Sequence, residues 1–373
     1  MSELTQNPAL ARTRPVSRRP AAEAGVLVPG SPLLREPVVL TGAADLMTEV
    51  WRWSPRYLRE AIGTVSLPAT LPGADGRFRY EPGRALGSQP LPVARFFDDM
   101  ADENGPRWCL QQVPVEQELP MLAERLDYPS CVPPGMMKVV NLWLAAPSTV
   151  TPLHYDTSHN LFAQINGSKT FYFFPPENLE ALYPGPLNTG AQHVSGIDMF
   201  NPDLTQHPLA ASLSYRSVTV QAGEALILPA FWWHQVVSND LSASVNFWWR
   251  AHVQDCLCPG FIRHLRSAPV QQDLNALTGT FVLGEGAAED SFKDAAEFVR
   301  LLTDIAEYRA AVAVSLSILR TLQRQNQESG AVAGLLAKYA DLEKAYSRTS
   351  AVDGGQAGCL ADDIEMIISR KSG

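Results

Sequence analysis

The stretch Thr151-Pro-Leu-His154-Tyr-Asp156-Thr-Ser-His159-Asn160-Leu-Phe-Ala-Gln-Ile-Asn-Gly-Ser-Lys169 decides the fold of this chain. It lies within residues 138–250, where short strand candidates follow one another and are bounded by Pro, Gly or Asn. Short strands of even length with turn residues between them predict a barrel or a double-sheet jelly roll. The candidate strands are 139–145, 161–165, 169–174, 217–220, 225–228, 235–238 and 243–249.

Two residues of this stretch, His154 and Asp156, have the spacing of metal ligands on a β-strand. Residues i and i+2 of a strand point to the same face, so both side chains are predicted to face the interior. His234, which follows a predicted strand and turn, is the candidate third ligand. Two imidazoles and one carboxylate leave three positions of an octahedral metal open, as iron(II) oxygenases require. For an isolated His-x-Asp pair, a surface turn is the alternative.

Lys169 begins an otherwise apolar strand candidate that contains Phe171 and Phe173. Alternation places the lysine side chain on the same face as these two aromatic rings. A lysine is costly to bury without a partner, so an interior position predicts a bound anion such as a dicarboxylate cosubstrate. The alternative is a lysine at a strand end whose ammonium group reaches solvent.

These segments together resemble the JmjC and cupin-like (cupin_8) family of iron(II)- and 2-oxoglutarate-dependent oxygenases. The resemblance extends over residues 36–252, and within the family the chain is most similar to the asparaginyl hydroxylase that inhibits hypoxia-inducible factor. The segments that carry it are 151–169 with its continuation to Pro176, Leu228–His234, Val245–Trp248, 37–41 and 57–63.

The resemblance implies a mainly β fold with some α structure: a double-stranded β-helix, the jelly roll of the cupins, with flanking N-terminal helices. One departure concerns Cys109, or Trp108 if the register shifts by one residue, which stands where the asparaginyl hydroxylase has a cosubstrate-binding tyrosine. One contact with the carboxylate of 2-oxoglutarate is therefore left open. The implied roles are metal ligands at His154, Asp156 and His234, cosubstrate contacts from Lys169, Thr151, Asn160 and Asn246, and a substrate pocket with Trp248, His159 and Cys109.

The reaction that the resemblance implies is hydroxylation of a C–H bond in a protein or peptide side chain. Iron(II) is the cofactor, 2-oxoglutarate and O2 are cosubstrates, and succinate and CO2 are co-products. Demethylation of methyl-lysine is a variant of this hypothesis. One alternative is the same chemistry on a small metabolite, a natural product or a tRNA base. Another is a metal-binding cupin module without catalysis.

Three regions are predicted along the chain. Residues 1–35 are rich in Pro, Ala and Arg and are expected to form a flexible arm. Residues 36–254 form the catalytic domain, in which the long Pro/Asn/His-rich insertion at 175–216 is a functional loop or lid. Residues 255–373 form a helical region, which is a candidate for homodimerisation.

Composition restricts the setting and the partners. The chain has 373 residues and a formal net charge of -9, which does not favour nucleic acid or an anionic membrane surface. No apolar run is long enough to cross a membrane. The five cysteines are an odd number at low density, so no disulfide framework is predicted and a cytoplasmic location is expected. They are Cys109, Cys131, Cys256, Cys258 and Cys359.

Overall fold

The computed structural model divides the chain into two compact units, Met1–Ala251 and His252–Gly373. No helix among the described residues is long and apolar enough to span a membrane. The structure describes residues 10–28, 31–79, 87–102, 104–133, 135–185, 193–251, 296, 299, 302, 308–324, 330–346 and 360–371.

The first unit is built on strands, as predicted. The strands are β1 (Ala11–Arg12), β2 (Ser17–Pro20), β3 (Val38–Thr41), β4 (Ser66–Thr70), β5 (Ser88–Pro92), β6 (Cys109–Pro114), β7 (Met137–Ala145), β8 (Ser158–Asn166), β9 (Ser168–Phe174), β10 (Ser214–Gln221), β11 (Ala225–Leu228), β12 (Trp233–Ser238) and β13 (Ser242–Arg250).

These strands form two sheets, and the predicted jelly-roll architecture is confirmed. The larger sheet has the order β2-β3-β11-β8-β13-β7-β6-β4-β5, and the smaller has the order β1-β10-β9-β12. An apolar cluster joins Phe162 and Leu228 of the larger sheet to Phe171 and Val220 of the smaller one. Because side chains alternate along each strand, the larger sheet presents one face to this interior and the other to the helices.

Helices cover the outer face of the larger sheet. They are α1 (Pro55–Ile62), α2 (Val93–Ala101) and the single turns α3 (Val115–Glu118) and α4 (Pro120–Ala123). Ser54 caps α1, because its side chain accepts a hydrogen bond from the Tyr57 amide at 3.2 Å. Leu58 and Phe96 pack from these helices onto Leu161 and Phe247 of the sheet, in the largest apolar cluster of the unit.

The turn from β8 to β9 carries the chain from one sheet to the other at Gly167. This residue has a φ of 69°, and a Cβ atom there would lie 2.4 Å from the carbonyl oxygen of Leu241. Only glycine avoids both the left-handed strain and this clash. The turn thereby places Lys169 at the start of β9, opposite the larger sheet.

Residues 1–35 were expected to form a flexible arm, but the described part of this segment contains two paired strands. Strand β1 pairs in parallel with β10, and β2 pairs in parallel with β3. Arg14 forms an ion pair with Glu36, and Arg18 with Glu224. Sheet edges offer unpaired backbone groups, and these pairings satisfy them, which composition alone did not reveal.

The second unit is helical where the structure describes it. Its helices are α5 (Tyr308–Arg324), α6 (Gly330–Tyr346) and α7 (Leu360–Lys371). They lie within residues 255–373, which were predicted to be helical. Residues 291–307 are largely outside the described residues, as are Cys256, Cys258 and Cys359. A role in homodimerisation stays a prediction.

Candidate metal centre

The site begins with the pairing of two histidines that are distant in sequence. The amide of His154 donates to the carbonyl of His234 at 3.0 Å, and the amide of His234 donates to the carbonyl of His154 at 2.7 Å. The segment around His154 is extended but is not a regular strand, because this isolated bridge and one to Val194 are its pairings there. The two imidazole rings lie 4.2 Å apart between centroids.

Asp156 completes a cluster of three potential ligands. Its carboxylate oxygens lie 3.9 Å from Nε2 of His154 and 3.7 Å from Nε2 of His234. One ligand atom from each of the three residues lies within 4.8 Å of the others. The structure thus brings together the three residues that the spacing predicted.

Both histidines are held in the tautomer that binds a metal through Nε2. Nδ1 of His154 lies 2.8 Å from the carbonyl oxygen of Pro152, and Nδ1 of His234 lies 3.0 Å from that of Trp232. A carbonyl oxygen only accepts, so each Nδ1 carries the hydrogen and each Nε2 presents a lone pair.

Electrostatics in the cluster favour a cation. Burial raises the pKa of the Asp156 carboxyl, against the opposing effect of His154 and His193. Burial and the neighbouring His154 lower the pKa of His234 well below its usual value. A neutral imidazole is the form that binds a metal, and a divalent cation offsets the cost of burying the carboxylate. The donor set of two imidazoles and one carboxylate fits iron(II).

The cluster opens into a cavity of about 450 Å³ between the two sheets, a volume that includes the part open to solvent. Eight predicted site residues line this cavity. They are His154, Asp156, His234, Lys169, Thr151, Asn160, Asn246 and Trp248. The other lining residues are Gln112, Trp143, Phe162, Phe171, Leu228 and Val236.

Lys169 is buried in this cavity. Its ammonium donates to the Ser244 hydroxyl at 3.0 Å and lies over the rings of Trp143 and Phe162, at 5.7 and 5.3 Å from their centroids. Burial lowers the pKa of Lys169 to about 8, while the Cys109 thiol opposes the shift. The partners of this ammonium among the described residues are the Ser244 hydroxyl and the Cys109 thiol, not a carboxylate, so an anionic ligand would remove the cost of its burial.

Several buried polar atoms around the cavity lack hydrogen-bond partners among the described residues. They include Oδ1 of Asn160 and of Asn246 and the indole nitrogens of Trp143 and Trp248. Buried polar atoms are nearly always hydrogen-bonded, and orphaned ones beside a cavity indicate a ligand or ordered water. Together with Lys169, these groups fit a cosubstrate that carries carboxylate and carbonyl oxygens.

Comparison with known proteins agrees with this geometry. The sequence model of the cupin-like domain family matches residues 33–255, which is more than half of the chain. The chain belongs to this cupin-like family. Its relatives include JmjC proteins, so the predicted JmjC/cupin oxygenase family is confirmed, and this family depends on iron(II) and 2-oxoglutarate.

Three of the relatives of this cupin-like chain have names that refer to lysine. Lysine-specific demethylase JMJ31 of Arabidopsis thaliana is 27% identical over 253 residues, 58% of this chain and 46% of that protein. Lysine-specific demethylase 8 of Xenopus tropicalis is 31% identical over 223 residues, 58% of this chain and 48% of that protein. The human bifunctional peptidase and (3S)-lysyl hydroxylase JMJD7 is 28% identical over 243 residues, 57% of this chain and 77% of that protein.

The chain thus spans about half the length of the two demethylases. A particular likeness to the asparaginyl hydroxylase stays a prediction.

Two of the three residues predicted for the substrate pocket of this cupin-like domain do not line the cavity. His159 lies on the opposite face of β8 from Asn160; its Nδ1 accepts a hydrogen bond from the Ala230 amide at 3.1 Å, and its ring packs against Trp249. Cys109 is buried against Phe78 and Ala145. The third, Trp248, lines the cavity, and its role in a substrate pocket stays a prediction.

Sequence reasoning missed Gln112, which is exposed and lines the cavity. Its φ is 49°, in the left-handed region that costs a non-glycine residue about 1–2 kcal/mol. The register between β6 and β7 shifts between Leu110 and Val113, and this bulge turns the Gln112 side chain toward the cavity. A bulge depends on strand pairing, so the local sequence contains no signal for it.

Sequence reasoning also missed how the insertion meets the metal cluster. The Tyr155 amide donates to the carbonyl of His193 at 3.0 Å, and the Ser195 amide donates to that of Leu153 at 2.8 Å. The ring of His193 lies 6.4 Å from that of His154. The described part of the insertion therefore flanks the segment that carries the first two ligands, as a functional loop should.

Proposed function

We propose that this chain is an iron(II)- and 2-oxoglutarate-dependent dioxygenase that hydroxylates a C–H bond of a protein or peptide side chain. One observation carries the proposal: His154, Asp156, His234 and the buried Lys169 line the same cavity. A metal-binding cupin without catalysis has no use for a buried cation that costs folding energy. The names of the relatives, which are lysine demethylases and a lysyl hydroxylase, support a protein substrate.

When bound, iron(II) and 2-oxoglutarate supply the oxidising chemistry: O2 is reduced, 2-oxoglutarate becomes succinate and CO2, and one oxygen atom enters the substrate C–H bond. The residues of this chain hold and orient the reactants. His154, Asp156 and His234 would hold the metal, with the histidine tautomers fixed by the Pro152 and Trp232 carbonyls.

The far end of the cavity holds the cosubstrate. Lys169 pairs with its distal carboxylate, and Thr151, whose hydroxyl accepts the Val236 amide at 3.0 Å, still has its own hydrogen to donate. Phe162, Phe171 and the other apolar lining residues exclude water around these groups, which strengthens each charge interaction.

The test measures succinate. The protein is incubated with iron(II), ascorbate, O2 and 2-oxoglutarate, with and without a pool of synthetic peptides that covers all side-chain types. We expect succinate above the level of an Asp156→Ala variant and peptides that gain one oxygen atom by mass spectrometry. Loss of a methyl group from methyl-lysine peptides instead would assign demethylation, which begins with the same C–H hydroxylation.

Asp203→Asn is the matched control, because Asp203 is an exposed carboxylate in the insertion and asparagine keeps its capping contacts with the Thr205 and Gln206 amides. It should turn over like the unmodified protein. Succinate formation that is equal in Asp156→Ala and in the unmodified protein contradicts the proposal.

A further inference from the structure

The indole nitrogen of Trp143 is a buried hydrogen-bond donor with no acceptor among the described residues. Its side chain lines the cavity of the metal cluster. An indole N–H donates only, and when buried it normally finds an oxygen acceptor. The position of Trp143 in the sheet indicates which acceptor this is.

Trp143 belongs to the group of residues around the Lys169 ammonium. On β7 it lies directly opposite Ser244 of β13, and the Ser244 hydroxyl accepts a hydrogen bond from Lys169 at 3.0 Å. The ammonium itself lies 5.7 Å from the centroid of the indole ring. The ammonium, the Ser244 hydroxyl and the Trp143 ring are therefore neighbours in the cavity, and no carboxylate pairs with the ammonium among the described residues. A carboxylate, with two oxygens, can accept from the ammonium and from the indole together.

The short side chain of Cys109 leaves room for another hydrogen-bond donor beside Lys169. It pairs with Ala145 of β7, two residues beyond Trp143, so its side chain is on the same face of the sheet as the indole. A tyrosine at this position would extend its hydroxyl toward Lys169, whereas the short cysteine side chain ends among Phe78 and Ala145 and does not line the cavity. The donor that a tyrosine would supply is therefore absent at position 109.

We infer that the indole N–H of Trp143 donates a hydrogen bond to the distal carboxylate of 2-oxoglutarate, in place of a tyrosine hydroxyl, and so contributes to the selection of a dicarboxylate cosubstrate. This inference rests on the proposed function. It predicts that loss of the N–H weakens the binding of ligands that have a distal carboxylate. The binding of matched ligands without that carboxylate should not change.

The test compares two ligands on the manganese(II)-loaded protein by isothermal titration calorimetry, without turnover. 2-Oxopentanoate has the same carbon chain as 2-oxoglutarate but ends in a methyl group. In Trp143→Phe, which keeps an aromatic ring, we expect the Kd of 2-oxoglutarate to rise about 10- to 100-fold, as for loss of a hydrogen bond to a charged group. The Kd of 2-oxopentanoate should change less than about twofold.

Trp51→Phe is the matched control, since the buried indole nitrogen of Trp51 also lacks a partner among the described residues but its ring packs against the apolar cluster outside the cavity. It should leave the Kd of 2-oxoglutarate unchanged. An unchanged Kd in Trp143→Phe, or equal weakening of both ligands, overturns the inference. Failure of the unmodified protein to bind 2-oxoglutarate overturns the proposed function as well.

A spectroscopic measurement avoids dependence on the folding of a variant. In zinc(II)-loaded protein with ¹⁵N-labelled tryptophan, the Trp143 indole resonance, assigned with Trp143→Phe or by its contact with Lys169, should shift downfield with 2-oxoglutarate and not with 2-oxopentanoate. If no indole resonance distinguishes the two ligands, the inference is wrong.

Discussion

Replacement of Lys169 by methionine should stabilise the ligand-free protein while it removes cosubstrate binding. Burial lowers the pKa of this ammonium from its usual 10.5 to about 8. At about 1.4 kcal/mol for each pKa unit, the charge costs about 3 kcal/mol of folding free energy at pH 7. Methionine fills a similar volume without charge and loses the hydrogen bond to Ser244, worth about 1 kcal/mol. The expected net gain is about 2 kcal/mol.

The pH dependence of this gain provides an internal check. Between about pH 8 and pH 10.5 the unfolded chain keeps the Lys169 proton and the folded protein releases it, so the stability of the unmodified protein rises with pH in that window. The methionine variant has no such group. Its advantage in the free energy of unfolding, measured with urea, should therefore be full at pH 7 and smaller at pH 9.5.

The same variant should lose affinity for 2-oxoglutarate, because the distal carboxylate would be buried without its cation. Breaking a buried ion pair in this way costs about 3–5 kcal/mol, which is at least a hundredfold in the Kd measured by calorimetry with manganese(II). Lys138→Met is the control, since Lys138 is exposed on β7, does not line the cavity, and its ammonium donates to the Ser158 hydroxyl at 3.3 Å. A Lys169→Met variant that is less stable at pH 7, or that binds 2-oxoglutarate normally, refutes the reasoning.

Two further substitutions test the fold and the edge of the site. Ser54→Ala removes the cap of α1 and should lower the free energy of unfolding by about 1 kcal/mol, measured with urea at neutral pH; a change below the error of the measurement contradicts the assignment of the cap. His159→Leu leaves the buried Ala230 amide without its acceptor and should cost about 1–3 kcal/mol of stability, yet leave the manganese(II) Kd unchanged; a large loss of metal affinity would mean that His159 belongs to the centre.

The strands and the α1 helix were predictable because their signals are local. Alternation along β9 predicted that Lys169 shares one face with Phe171 and Phe173 but left open whether that face is interior; the structure buries all three residues. Ser54 followed by proline predicted the start of α1. Each of these signals depends on residues close in sequence, and a backbone of fixed period converts them directly into geometry.

The predicted substrate pocket and the N-terminal arm were less accurate because they depend on neighbours distant in sequence. Cys109 is on the cavity side of the sheet, but its side chain is too short to line the cavity. This position depends on the pairing of β6 with β7. The arm is ordered where it is described because β3 and β10 offer it free edges. Composition does not record whether such an edge exists.

The sequence by itself indicated the candidate residues for the chemistry: two histidines, an aspartate at strand spacing from one of them, and a lysine in an apolar run. Only the tertiary structure decided that His154 and His234 are backbone partners, that Trp143 lies opposite Ser244 beside Lys169, and that a bulge brings Gln112 to the cavity. The physical reason is that residue type and period are local properties. Register between strands is set by the whole sandwich, where burial of one face of each sheet selects the pairing.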